Sequence, residues 1–179
     1  RFVAHNTDVI GFDVAYRRLI TGWGTVNALV LGAGPAARAV CSALYGMGVN
    51  YMMASRPGPN KELSKAVTSD QHVVDWIYWD QCIDDMLVIN TVPSSAFGSN
   101  VDRNLDLRIG RARACIDITS LDGKSALMQS AKRACQFPPV DGSSMALAQS
   151  MKQFELYTGH QIDDTGVLHM QLMKGWRTR

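Results

Sequence analysis

Leu29-Val30-Leu31-Gly32-Ala33-Gly34-Pro35-Ala36-Ala37-Arg38-Ala39-Val40, LVLGAGPAARAV in one-letter code, is the stretch on which the fold turns. An apolar run of strand length leads into two glycines one residue apart, and an alanine-rich stretch suited to a helix follows. Strand, glycine bend and helix in that order form a turn that cradles phosphate. Gly32 permits the tight bend, and Gly34 lets an anion approach the backbone at the helix N-terminus. Ala37 stands where a small residue allows close packing of helix on strand. Pro35 departs from the pattern: its fixed φ suits a first helical turn, but it removes one N–H from the terminus that would receive the anion. A hydrogen bond to a charged group is worth about 1.5–3 kcal/mol, so the cradle is weakened rather than abolished. A purely structural turn has the same local sequence.

On either side of this turn, strands and helices alternate. Residues 26–31, 51–54, 73–77, 86–90 and 114–118 read as strands, with 73–77 the weakest of them. Helices are expected over 7–20 after a Thr7 cap, over 36–47 before Gly48, and over 61–67, 125–135, 144–157 and 167–176. The alternation predicts an α/β fold: a doubly wound, Rossmann-like parallel sheet covered on both faces, with flanking terminal helices.

The 179 residues are 46% hydrophobic and 19% charged, as in a globular domain. A net charge of +2 gives direct nucleic-acid binding no electrostatic footing. No apolar run reaches the roughly 18–20 residues of a membrane span, and no signal-peptide pattern opens the chain. The expectation is an intracellular protein, in cytoplasm or nucleus. Cys41, Cys82, Cys115 and Cys135 lie in apolar segments without CxxC pairs or histidines at zinc spacing. They read as reduced core residues, and no metal site is expected. The chain opens Arg1-Phe2-Val3 without an initiator methionine, so it is expected to be part of a longer polypeptide.

Candidate ligand-binding residues lie where strands or helices end. After the second strand, Ser55-Arg56 replaces the acidic residue that would hold the ribose hydroxyls of NAD; Arg56 suits a 2′-phosphate, so the cofactor indicated is NADP. A solvated surface arginine is the plainer reading. In "INTVPSS", Asn90, Thr91 and Pro93 end an apolar strand and border the nucleotide crevice, unless they form a simple turn. The nucleotide residues are therefore Gly32, Gly34, Pro35, Ala36, Ser55, Arg56, Asn90 and Thr91. Near the start, Asn6, Thr7 and Asp8 can hydrogen-bond a polyhydroxylated ligand, and Asp8 can take part in proton transfer. The same three residue types also cap helices. Met145, Gln149, Lys152 and Leu156 fall on adjoining turns of one helix, where Gln149 faces either a hydroxylated ligand or solvent.

Taken in order, "NTDxxGF", "LGAGxAARA", "SR", "INTxP", "DIT" and "DGSSMALAQSMKQFELYTG" resemble the nicotinamide-binding half of shikimate dehydrogenase and its quinate relatives. The resemblance covers nearly the whole chain. It implies that residues 1–22 form a helix bordering an interdomain cleft, 23–141 the dinucleotide-binding core, and 142–179 helices returning to the cleft. An N-terminal domain absent from this chain would supply most of the substrate pocket and a catalytic lysine. Asp8 would partner that lysine, and Asn6, Thr7, Asp8 and Gln149 would face shikimate or quinate. The departures fall on the cofactor side. Pro35 replaces a glycine, Ser55-Arg56-Pro57 replaces "NRT", and Ser120 to Ser125 replaces a tyrosine followed by "PxxT". Substrate recognition kept beside weak or vestigial NADP handling points to a ligand-binding, regulatory homologue, similar to the dehydrogenase-like domain of fungal quinate-pathway repressors. The alternative is an active NADP-dependent shikimate dehydrogenase domain, as one module of a multifunctional aromatic-biosynthesis polypeptide.

Overall fold

The structure, a computed structural model, describes residues 3–20, 23, 26–58, 73–93, 95 and 105–162. The helices expected over 61–67 and 167–176 lie outside the described residues. Helix α1 (Thr7–Ile20) is followed by β1 (Ala28–Leu31), α2 (Pro35–Gly46), β2 (Tyr51–Ser55) and β3 (Val73–Asp75). A 3₁₀ helix (Trp76–Gln81), β4 (Leu87–Asn90), α3 (Leu105–Ile109) and β5 (Ala114–Asp117) come next. Helix α4 (Ala126–Ala134), β6 (Val140–Asp141) and α5 (Ser143–Thr158) complete the order.

The six strands form one all-parallel sheet in the order β3-β2-β1-β4-β5-β6, which is the doubly wound arrangement. Strands β1, β4 and β5 are buried along their whole length, because both faces of the sheet are covered. Side chains alternate between the faces. Val30, Leu87, Ile89 and Ile116 pack with Phe12 and Tyr16 of α1 and with Val40 and Leu44 of α2. Leu29, Leu31, Val88 and Cys115 pack on the other face with Trp79, Ile83, Leu105, Ile109 and Leu127. In α2, the buried Ala37, Val40, Cys41 and Leu44 recur at the i, i+3, i+4, i+7 spacing that lays one helix face on the sheet.

Several expectations need correction. The third strand stops at Asp75, and residues 76 and 77 already belong to the 3₁₀ helix. Helix α1 is capped by Asn6, whose Oδ1 accepts from the Asp8 N–H at 3.1 Å, and Thr7 is its first residue. Helix α3 and the two-residue edge strand β6 are both additions. Cys41 and Cys115 are core residues as expected, whereas Cys82 and Cys135 are only half-buried. Burial pushes the thiol of Cys41 up to about 12 and that of Cys135 up to about 11, far from the thiolate range of a nucleophile. Among the described residues no helix is long and apolar enough to cross a membrane.

Candidate functional site

The register of the sheet lines up its carboxyl edge. Leu31 pairs with Ala54 and with Asn90, and Asn90 pairs with Asp117, so the apolar strands all give way to turns at one level. A crevice of about 480 Å³ opens there, at the point between β1 and β4 where the strand order reverses. Its floor is the glycine turn. Gly32 has φ +118°, and a Cβ on it would lie 2.5 Å from Thr91 Oγ1 and 2.8 Å from Val92 Cγ1. Its N–H donates to Ala54 O at 2.9 Å, while the Thr91 N–H and hydroxyl donate to Leu31 O at 3.1 and 2.7 Å. Gly32 is thus held between the ends of β2 and β4, and only glycine fits.

Gly34 differs. It is extended, it is the N-cap of α2, and among the described residues a Cβ on it would meet nothing within 4 Å. Open space lies beside the positive end of a 12-residue helix, which is the room a pyrophosphate needs. Pro35 occupies the first position of α2, where its ring is tolerated. The first-turn N–H groups of a helix have no intrahelical acceptor, so those of Ala36 and Ala37 remain for an anion. Arg38 Nη1 donates to Ala33 O at 3.0 Å, tying the turn to the helix that follows it.

Of the residues expected to hold a nucleotide, Gly32, Gly34, Ser55, Arg56 and Thr91 line the crevice. Arg56 is exposed, while Ser55 is buried and donates its hydroxyl to Arg56 O at 2.9 Å. Pro35 and Ala36 begin the helix just behind the lining. Asn90 is 1% exposed and points elsewhere. Its Nδ2 donates to Val92 O and Asp117 Oδ1, each at 2.9 Å, and its Oδ1 accepts from the Val92 N–H at 3.2 Å. Asn90 therefore shapes the turn that walls the crevice. Asp117, fully buried, is the hub of this network. Its Oδ1 also accepts from the Thr119 N–H at 3.0 Å and hydroxyl at 2.8 Å, and its Oδ2 accepts from Ser125 Oγ at 2.5 Å. Ser125 in turn caps α4 by accepting from the Met128 N–H at 3.1 Å.

Pro93, expected at the edge of the crevice, lines it, as do Ala33 of the glycine turn and Pro57; the sequence reading missed Trp76, Gly58 and Val92. It also missed Asp117. The "DIT" motif was a usable signal for Asp117, since a carboxylate ending a buried apolar strand needs partners. Nothing local to Trp76 marks it.

The second group of candidates lies between α1 and α5. Gln149 Nε2 donates to Asp8 Oδ1 at 2.6 Å, and Gln153 Nε2 donates to Thr7 Oγ1 at 3.1 Å. Asp8 and Gln149, 141 positions apart, meet because Gly11 lets the helices touch. A Cβ at Gly11 would lie 2.6 Å from Gln149 Cγ and 2.7 Å from Met145 O. Asn6 is exposed, with its side-chain oxygen engaged in capping. Among the described residues no group of three His, Cys, Asp or Glu side chains could hold a metal ion.

No protein-family model matches the chain. The shikimate dehydrogenase (NADP(+)) of Brucella ovis is 30% identical to it, over 97% of this chain and 62% of that protein. The chain is homologous to the shikimate dehydrogenases. The crystal structure of the shikimate dehydrogenase from Aquifex aeolicus superposes with a TM-score of 0.76 at 25% identity, covering 93% of this chain and 60% of the other. The fold is shared too with a quinate dehydrogenase from Corynebacterium glutamicum solved in complex with NAD, with a TM-score of 0.75 at 21% identity, covering 95% and 62%. The chain spans 60–62% of the length of these three proteins. Against the shikimate dehydrogenase pattern, two departures have a local accommodation. Pro35 sits at the one helical position that tolerates it, and Ser125 keeps a hydroxyl where "PxxT" places one.

Proposed function

We propose that this chain is the NADP-binding half of an active shikimate dehydrogenase-type oxidoreductase, whose substrate is a hydroxylated cyclohexene or cyclohexane carboxylate of the shikimate or quinate kind. The observation that carries the proposal is the open space at Gly34: a helix N-terminus faces a crevice at the sheet's switch point, and among the described residues none comes within 4 Å of a Cβ placed there. Arg56 on the same crevice supplies a cation for a 2′-phosphate. A bound nicotinamide would supply hydride transfer. Asp8, held by the Gln149 carboxamide, is the chain's own candidate for orienting a proton donor, and Gln149 is the candidate for a substrate hydroxyl. A preceding domain carrying a lysine would complete the site, which accords with the greater length of the relatives.

One observation favours a second reading, in which the intact protein senses its ligand without turning it over, in the manner of a quinate-pathway repressor with vestigial cofactor handling. Pro35 removes an N–H from the cradle, and Pro57 stands where the family places a hydroxyl. The preserved crevice weighs against this reading. Reduction of NADP(+) by the intact protein, with saturating shikimate and separately with quinate, separates the two. Turnover with either substrate is expected, and Asp8→Asn should lower kcat by about 10²-fold or more. Ligand binding without turnover would favour the sensor.

A further inference from the structure

We propose that Trp76 is the adenine-binding wall of the nucleotide crevice, and that a base stacked there supplies affinity that the proline substitutions remove elsewhere. The inference rests on the NADP reading. Ser55 of β2 pairs with Asp75 of β3 in parallel register, so Arg56 and Trp76 are the next residues on two adjacent strands as both leave the sheet. Adjacent strands lie about 4.8 Å apart. Both residues line the same crevice, as do Pro57 and Gly58.

In a doubly wound sheet the adenosine ribose sits at the end of the second strand, and the pyrophosphate at the first helix. In this proposal the base attached to that ribose lies outward, toward the third strand. Here the third strand ends in an indole. Trp76 is half-buried and packed against the core cluster that contains Trp79, Leu29 and Leu31, so its placement is set by the core while part of it borders the crevice. An aromatic side chain already held in place binds a purine at little entropic cost, and a neighbouring guanidinium adds a second planar surface. The expected ligand fragment is therefore 2′,5′-ADP, with its 2′-phosphate at Arg56 and its base at Trp76.

Calorimetric titration of the protein with NADPH and with 2′,5′-ADP tests this, using wild type, Trp76→Phe and Trp76→Leu. Leucine keeps an apolar contact with the core and removes the aromatic face; phenylalanine keeps both. Melting curves of each variant give the fraction folded. Trp76→Leu should weaken both ligands by the same factor, about ten-fold or more, and Trp76→Phe should recover most of that loss. Wild type that binds 2′,5′-ADP no more tightly than a folded Trp76→Leu variant would overturn the inference and leave the NADP reading standing. Failure of wild type to bind either ligand would overturn both.

Discussion

The two candidate regions are built on opposite terms. The crevice at the carboxyl edge is set by backbone: Gly32 is pinned at φ +118° between two strand ends, and Gly34 faces open space. Its shape follows from a few neighbouring residues and the sheet register. The Asp8–Gln149 pair is set by side chains on two helices far apart in sequence, joined by hydrogen bonds of 2.6 Å at Gln149–Asp8 and 3.1 Å at Gln153–Thr7 and by a close approach at Gly11. A site of the first kind forms wherever the sheet forms. A site of the second kind depends on helix packing and, in the proposed reading, on a further domain.

Substitutions at glycines break this contrast most sharply. Gly32→Ala combines a positive φ with overlap on Thr91 and Val92, and it should lower unfolding free energy in urea by about 2–4 kcal/mol. Gly34→Ala, with nothing among the described residues within 4 Å of the new Cβ, should leave stability within about 0.5 kcal/mol of wild type. It should nonetheless weaken NADPH by about ten-fold or more, since the methyl fills the space reserved for phosphate. Equal destabilisation by both glycine variants would mean that the crevice has no reserved space.

Gly11→Ala belongs to the other region and should have a smaller effect on the fold. The added Cβ meets Gln149 Cγ and the Met145 carbonyl, so α1 and α5 must separate. A loss of about 1–3 kcal/mol is expected in the same urea titration. NADPH affinity should stay unchanged, because the crevice does not use these helices. Coupled loss of nucleotide binding would show that the two regions are one unit.

Sequence alone made the first region legible for a physical reason. Gly32 answers a local backbone demand, Gly34 marks the start of a helix, and the runs 28–31, 87–89 and 114–116 are apolar on both faces because the sheet is covered twice. Residues whose role depends on register were not legible. Asn90 looks like a ligand contact until its pairing with Asp117 turns its amide inward. Trp76, inside "DWIYWD", cannot be told from a core aromatic until β3 ends one residue before it. Strand β6 has only two residues and follows two prolines, too little for any periodicity. The Asp8–Gln149 contact was readable only through the family resemblance, since nothing in either motif names the other.

Pro35→Gly should have the smallest effect on the fold and a readable one on the ligand. Restoring the N–H at the first position of α2 should tighten NADPH by about ten-fold, with less than about 1 kcal/mol lost in stability. An unchanged affinity would mean that Ala36 and Ala37 already satisfy the phosphate and that the proline is no handicap.

The central claim is that the crevice at the ends of β1, β2 and β4 is an NADP site. Parallel calorimetric titrations of the protein and of Arg56→Ala with NADPH and NADH test it most directly. Saturable binding of one NADPH per chain is predicted, tighter than NADH by about ten-fold or more in wild type, with that gap largely removed in Arg56→Ala. No binding of either nucleotide, or equal affinity for both in wild type, would contradict it.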